Sequence, residues 1–295
     1  MMRITQGMLS NNMLRNLNQS YSKLIDYQNQ VSTGKKITRP SDNPTVAVQA
    51  MGYRTNLTEI EQFKTNFSKA YSSIDNADTA LDDATQALQR IRELTVQASN
   101  DTNNTENRQA IENEINELKE HLMDIANTKV GDHYIFNGGN TKTAPVAVVD
   151  GKTVNTGTEG EPITIELAKG LSMPVSIKGS EVFSNDFFQN IEELQEKLKA
   201  GVSGEELNTY LAKIDANSDA VSTARSELGA KYNRIEVMEA RTDEQEITFK
   251  RLLSDTEDVE FEKALIDLQT QTSVHQAALA VGSKVIQPTL MDFLR

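Results

Sequence analysis

The chain has 295 residues, of which 37% are hydrophobic and 5% aromatic, so side chains for a wide globular core are in short supply. Glycine and proline are also scarce, at 15 and 6 residues, which disfavours folds built from many short strands and favours a long, narrow helical molecule. The net charge of −13 argues against a nucleic-acid partner, because neutralising phosphates takes clustered lysine and arginine, and the absence of cysteine excludes disulfides and thiolate chemistry.

The first predicted element is a helix near the N-terminus with a coiled-coil repeat. Its seam residues recur in alternating steps of three and four, at Leu14, Leu17, Tyr21, Leu24, Gln28 and Val31. This spacing places them on one helix face, which we expect to pack against another helix. The helix breaks at Gly34, and a polar link follows. Pro44 suits the first turn of the next helix, for which Asp42 or Asn43 is a candidate cap.

The second predicted helix is the longest. Its heptad stripe starts at Val46, slips once in phase and continues to Ala98. A polar turn over 100–105 leads into a third helix with apolar residues from Ile111 to Ile125. So short a turn predicts that these two helices are antiparallel neighbours.

Residues 131–186 change character and predict a small β-rich insert. Apolar runs predict strands at 134–136, 146–149, 163–167 and 175–177. The pair Asp150-Gly151, directly after the second run, is typical of a tight turn. Because none of these runs belongs to the heptad stripes, we expect that 141–183 can be removed while the helices stay folded.

Helical spacing returns after the insert. A short helix ends near Gly201, and a second long helix runs from Leu207 to Leu252. Polar residues such as Asn217 interrupt the apolar seam of the long helix, which predicts looser or partly hydrated packing there.

The last predicted helix carries two adjoining apolar stripes. One contains Phe261, Leu265, Leu268, Leu279, Ile286 and Phe293, and the other contains Val274, Ala278, Val281 and Val285. Because one partner helix cannot cover both stripes, we expect this helix to be buried on more than one side. The candidate assembly interface is drawn from both terminal helices and consists of Leu14, Leu17, Tyr21, Leu24, Val31, Leu279, Val281, Val285, Ile286, Leu290 and Phe293.

Together these elements predict a mainly α fold. We expect an elongated helical rod or coiled-coil bundle built from both chain ends, with a small β-rich insert domain at the far end. The predicted segments are an N-terminal coiled-coil arm and link, the two halves of the rod separated by the insert, and a C-terminal coiled-coil arm, at 1–44, 45–130, 131–186, 187–255 and 256–295.

No residue pattern points to chemistry. His121, His133 and His275 show no metal-ligand spacing, and no nucleotide-binding fingerprint occurs. Acidic pairs such as Asp82-Asp83 are adjacent on a helix and point about 100° apart, so they do not face one substrate. We predict no enzyme activity, no catalytic residue, no cofactor and no metal. No stretch approaches the roughly 20 apolar residues of a membrane span, so we expect no membrane insertion.

Several segments resemble the flagellin family. The most specific is Val31–Pro44, where a helix ends at Ser-Thr-Gly and a basic stretch leads to Ser-Asp-Asn-Pro. Further similar segments lie at 94–102, 108–115, 227–234 and 285–294. Gly131–Gly138 matches the form typical of hook–filament junction proteins in this family. Flagellins usually have Lys-Asp-Asp-Ala where this chain has Ser41–Pro44.

The resemblance implies a structural adaptor that joins the hook, through the first hook-associated protein, to the flagellin filament. It implies that the chain forms a ring with copies of itself and uses an export chaperone and the flagellar export apparatus. It also implies an extracellular position at the hook–filament junction, reached without a cleaved signal peptide. A filament flagellin is the alternative within the family, and a cytoplasmic coiled-coil scaffold is the alternative outside it.

Overall fold

The computed structural model describes residues 6–100, 105–157 and 160–286. Over these residues the chain is mainly helical, with a small strand-containing insert between long helices from both chain ends, so the predicted fold class is confirmed. The helices are α1 (Gln6–Thr33), α2 (Pro44–Ala98), α3 (Thr105–Ala126), α4 (Gly179–Val182), α5 (Asn185–Ala200), α6 (Gly204–Glu257) and α7 (Phe261–Ile286). The strands are β1 (Lys129–Val130), β2 (His133–Tyr134), β3 (Val146–Val149), β4 (Lys152–Asn155), β5 (Thr164–Ala168) and β6 (Leu171–Pro174).

Contacts divide the described residues into two compact units. The terminal unit consists of the residues up to Glu59 and those from Glu244 onward, and it contains α1 and α7. The central unit is Ile60–Asp243, and it contains α3, α4, α5 and the six strands. Helices α2 and α6 contribute residues to both units.

The start of α2 follows from local hydrogen bonds. The helix begins at Pro44, as predicted, and the Oδ1 atom of Asn43 accepts a hydrogen bond from the amide of Val46 at 3.3 Å. The carboxylate of Asp42 instead accepts from two backbone amides of the preceding loop, which lowers the pKa of Asp42. Asn43 is therefore the cap of α2, and Asp42 stabilises the loop.

The core of the central unit combines helices and insert. One cluster of buried side chains includes residues of α2, α3, α5 and α6, among them Phe67, Leu81, Leu88, Ile115, Leu122, Ile191, Leu194, Ile214 and Leu228. The insert contributes to the same cluster with Val146, Leu167, Met173, Val175 and Ile177. Side chains of the insert and of the helices are thus buried together, which argues against the expectation that 141–183 can be removed while the helices stay folded.

The strands form three separate two-stranded antiparallel sheets among the described residues. The β3–β4 hairpin closes at Asp150-Gly151, which both have positive φ, as the predicted turn requires. The strand predicted at 175–177 is placed wrongly, because the turn at Gly170 pairs Leu171–Pro174 with β5. The strand predicted at 134–136 is shorter than expected and ends at Tyr134.

Candidate functional site

The terminal helices α1 and α7 pack against each other in antiparallel orientation. Near the middle of the pair, Nε2 of Gln271 donates to Oγ of Ser20 at 2.9 Å. Towards the N-terminus of α1, Gly282 approaches Met13 so closely that a Cβ built on the glycine would lie 3.0 Å from the methyl carbon of Met13. The two chain ends therefore pair with each other, as their heptad patterns predicted.

The seam between the two helices is unequal in composition. On α1 the half-buried or buried positions follow heptad spacing and are mostly large, at Ser10, Met13, Leu17, Ser20, Leu24, Tyr27 and Val31. On α7 the corresponding positions are mostly small or polar, at Ala264, Leu268, Gln271, His275, Ala278 and Gly282. The intramolecular seam thus uses little of the apolar surface that α7 carries.

Apart from Leu268, the large apolar side chains described on α7 face away from this seam. Ile266 is 63% exposed and Val281 is 56% exposed, values far above those of a packed core. We define the outer face of the helix pair as its exposed large apolar residues. They are Met8, Leu9, Leu14, Tyr21 and Ile25 on α1, and Phe261, Leu265, Ile266, Val274, Leu279 and Val281 on α7.

The candidate interface residues divide between the seam and the outer face. Those on the outer face are Leu14, Tyr21, Leu279 and Val281, and those in the seam are Leu17, Leu24 and Val31. Val285 and Ile286 belong to α7, but their side chains are not among those that the structure describes, and Leu290 and Phe293 lie outside the described residues. The predicted stripe on α1 therefore combined two faces of one helix.

Sequence reasoning missed four outer-face residues. Met8 and Leu9 lie in the first turns of α1, Ile25 follows a seam leucine, and Ile266 follows Leu265. Each is apolar but out of phase with the predicted stripes. A count of apolar residues around the whole helix circumference, instead of along one stripe, would have found them.

A charge cluster lies where the connection from α1 to α2 meets the connection from α6 to α7. We call Lys35, Arg54, Glu257 and Asp258 the Glu257 cluster. Nζ of Lys35 lies 2.7 Å from Oδ1 of Asp258 and 3.3 Å from Oε2 of Glu257, and a guanidinium nitrogen of Arg54 lies 2.7 Å from the same Oε2. The side chain of Glu257 is only 5% exposed, so this carboxylate has exchanged water for two cations.

Backbone hydrogen bonds join the same two connections. Gly34 adopts a left-handed conformation with φ of 69°, and its carbonyl accepts from the amide of Val259 at 3.0 Å. The amide of Lys36 donates to the carbonyl of Glu257 at 2.6 Å. The basic link that the sequence singled out is thus anchored on the α6–α7 connection. Sequence reasoning gave Lys35 no partner, because Asp258 is 223 residues away along the chain.

The three histidines are separate in the sequence, and each has different neighbours. His121 is exposed on α3, and Nδ1 of His133 lies 2.9 Å from Oγ1 of Thr141. His275 lies in the α1–α7 seam, with its ring centroid 5.8 Å from that of Tyr21. Among the described residues, no group of three or more histidine and acidic side chains is placed to hold a metal ion. No helix in the described ranges is both long and apolar enough to cross a bilayer.

Comparison with protein-family models gives two matches. The model of the bacterial flagellin N-terminal helical region matches residues 4–141, and that of the bacterial flagellin C-terminal helical region matches residues 211–294. Between the two matched regions lies the greater part of the insert, together with α4 and α5.

Similar proteins of known name cover nearly the whole chain. Flagellar hook-associated protein 3 of Escherichia coli is 26% identical over 94% of this chain and 95% of its own length. A flagellin of Halalkalibacterium halodurans is 27% identical over 94% of this chain and 91% of its own length.

Solved structures share the fold. The crystal structure of Bacillus cereus FlgL covers 69% of this chain and 99% of its own, with a TM-score of 0.60 and 22% identity. The flagellar junction protein FlgL from Legionella pneumophila covers 72% of this chain and 100% of its own, with a TM-score of 0.59 and 17% identity.

Proposed function

Because this chain belongs to the bacterial flagellin family, we propose that it is a structural subunit of the flagellum that joins the hook to the flagellin filament. The structural observation that carries the proposal is the outer face of α1 and α7. Large apolar side chains that stay 38–63% exposed on a paired helix indicate that further molecules cover them. A subunit between hook and filament has such neighbours on several sides.

The proposed partners follow from this position. Copies of the chain form a ring, the first hook-associated protein lies on the hook side, and flagellin lies on the filament side. The subunit reaches its extracellular position at the hook–filament junction through the flagellar export apparatus, with an export chaperone. Its role is structural and not catalytic.

A filament flagellin is the second candidate, since a flagellin is as similar over as much of this chain as the hook-associated protein is. The sequence Ser41–Pro44 and the segment Gly131–Gly138 favour the junction subunit. Membership of a flagellar family argues against a cytoplasmic coiled-coil scaffold.

Deleting the gene and locating its product separate the two flagellar candidates. For a junction subunit we expect the deletion strain to keep its hooks, lose its filaments and release flagellin into the medium, with recovery on complementation. Immunogold labelling of complemented flagella is then confined to a band between hook and filament. Label along the whole filament would identify a flagellin instead, and label in the cytoplasm alone would contradict both candidates.

A further inference from the structure

The heptad spacing of the α1–α7 seam does not determine its own register. A shift of α7 along α1 by one heptad places seam residues against seam residues again, since the spacing repeats every seven positions. Such a shift is a translation of about 10 Å, at 1.5 Å per residue. The close fit of Met13 against Gly282 is one shape feature that resists it, and Ala264 and Ala278 add little to it. Directional contacts therefore strengthen the preference for the observed register.

Two sets of directional contacts are present. One is the hydrogen bond from Gln271 to Ser20 in the middle of the seam. The other is the Glu257 cluster, which lies at the end of the pair where α1 ends and α7 begins, and whose closest contacts are 2.7 Å. We infer that Glu257 is the positioning residue that holds α1 and α7 in register, because its carboxylate, on a side chain that is only 5% exposed, binds both Lys35 and Arg54.

Burial gives Glu257 more influence than an exposed ion pair has. A carboxylate that is 5% exposed loses most of its hydration, and two cations together with their hydrogen bonds compensate for it. A shift of about 10 Å would separate Lys35 from both acidic groups and break the backbone bond between Gly34 and Val259. The buried carboxylate would then lose one of its two cations, so the shifted register is disfavoured.

The register determines the pattern of the outer face. Leu14 directly follows Met13, which contacts Gly282, and Leu279 lies one turn before that glycine. In the observed register these two exposed leucines therefore lie at similar levels along the pair. A shift by one heptad would separate them by about 10 Å. The value of this alignment for assembly rests on the proposed function, whereas the role of Glu257 in setting the register does not.

Engineered cysteines report the register, because the chain has none of its own. A Cβ built on Gly282 lies 3.7 Å from Cγ of Met13, which suits a disulfide between Met13→Cys and Gly282→Cys. Two further pairs, Met13→Cys with His275→Cys and Ser20→Cys with Gly282→Cys, report a one-heptad shift in either direction. The full-length protein is oxidised at high dilution, and intramolecular cross-links are quantified by mass spectrometry.

The test variant is Glu257→Gln, and Glu260→Gln is its matched control. Glu260 undergoes the same chemical change three residues away, where the side chain is exposed. We expect the ratio of shifted to native cross-links to rise about tenfold in Glu257→Gln, as loss of a buried charged contact implies, and to stay at the parent level in Glu260→Gln. Equal ratios in both variants would overturn the inference, as would a parent protein without the 13–282 cross-link.

Lys35→Gln keeps the test decisive if Glu257→Gln loses its helical circular dichroism. Lys35 is partly exposed, so its replacement does not leave a buried cavity. The same rise in shifted cross-links supports the inference, and an unchanged ratio overturns it. These measurements use the free subunit, so they fail or succeed independently of whether the chain joins hook to filament.

Discussion

Asn217 and Glu257 show how single buried polar residues find partners in this molecule. Asn217 is nearly inaccessible, and its side-chain amide donates to the carbonyl of Phe187 at 3.0 Å while its oxygen accepts from Asn190. Protein hydrogen bonds thus satisfy this interruption of the apolar seam. Glu257 is likewise held by two cations. Burial removes water from such groups, so the fold must supply partners.

A single residue of the outer face tests the assembly surface. Leu279 is 47% exposed in the free subunit, so Leu279→Asp should leave helical circular dichroism unchanged. In an assembly a buried leucine contributes about 1.5–3 kcal/mol per subunit, and the loss repeats at each contact of a ring. We expect cells that carry the variant to release flagellin instead of forming filaments. Gln276→Asp, the same charge at an exposed polar position of α7, should behave as wild type. Normal filaments in cells that export the Leu279→Asp variant would contradict the proposal that the outer face is an assembly surface.

The pair of Lys35 and Asp258 makes the stability of the terminal unit depend on pH. Hydrogen bonds from Lys35 and Ser254 lower the pKa of Asp258, and the hydrogen bond to Asp258 raises the pKa of Lys35. The contribution of Asp258 is therefore fully present above its ordinary pKa of about 3.9 and is lost as the pH falls through its lowered folded value. That of Lys35 is present below its ordinary pKa and is lost only as the pH rises through its raised folded value.

Urea unfolding of Asp258→Asn over a pH series checks the acid side of this dependence. At pH 7 we expect the variant to be less stable by up to about 1 kcal/mol, because the pair is partly exposed and screened. The difference from wild type should shrink as the pH falls below about 4. Asp255→Asn, at an exposed position one turn earlier, is the control. A deficit that stays constant from pH 7 to acid would show that the charge of Asp258 is not its cause.

At the scale of elements, the strands and helices of the central unit depend on each other. The three hairpin sheets have two strands each, too few to form a core alone, and Val146 of β3, Leu167 of β5 and Met173 of β6 join the helical cluster. The insert is thus part of the helical fold. Its exposed side chains, such as Leu171, remain outside this core.

A pair of leucines in one hairpin tests this dependence. Leu167 on β5 is fully buried, and Leu167→Ala should lower the free energy of unfolding by about 2–5 kcal/mol. Leu171→Ala on the neighbouring strand should change it by less than about 0.5 kcal/mol, because the side chain is 40% exposed. The measurement is thermal unfolding followed by helical circular dichroism. An unchanged helical transition in Leu167→Ala would show that the helices fold without the insert.

At the scale of the whole molecule, burial is distributed unequally. The main hydrophobic cluster runs from Phe67 to Ile235 and therefore lies entirely within the central unit. The terminal unit has few buried apolar residues and exposes many large ones. One unit thus carries its own core, while the other leaves large apolar side chains exposed.

This distribution predicts that a fragment of residues 60–243 folds alone. Because every member of the main cluster is retained, we expect a cooperative helical transition within a few degrees of that of the full chain. The fragment should not support filament formation, since it lacks α1 and α7. The matched fragment 60–243 with Leu167→Ala should unfold at lower temperature. A fragment without cooperative unfolding would show that the central core needs the terminal unit.

Local signals in the sequence were sufficient to predict the helices and to identify the family. Pro44 at the start of α2, Gly34 after α1 and Gly201 after α5 act within a few residues of themselves, so the helix boundaries could be predicted. The motif Val31–Pro44 identified the family for the same reason, as it is contiguous.

Only the tertiary structure decided which face of α1 is the seam, where the last strand pairs and what Lys35 binds. Two heptad series on α1 share Leu17, Leu24 and Val31, so periodicity alone cannot assign Leu14 and Tyr21 to the outer face. The partners Lys35 and Asp258 are 223 residues apart. Their contact depends on how complete helices pack, and no local pattern of residues specifies that packing.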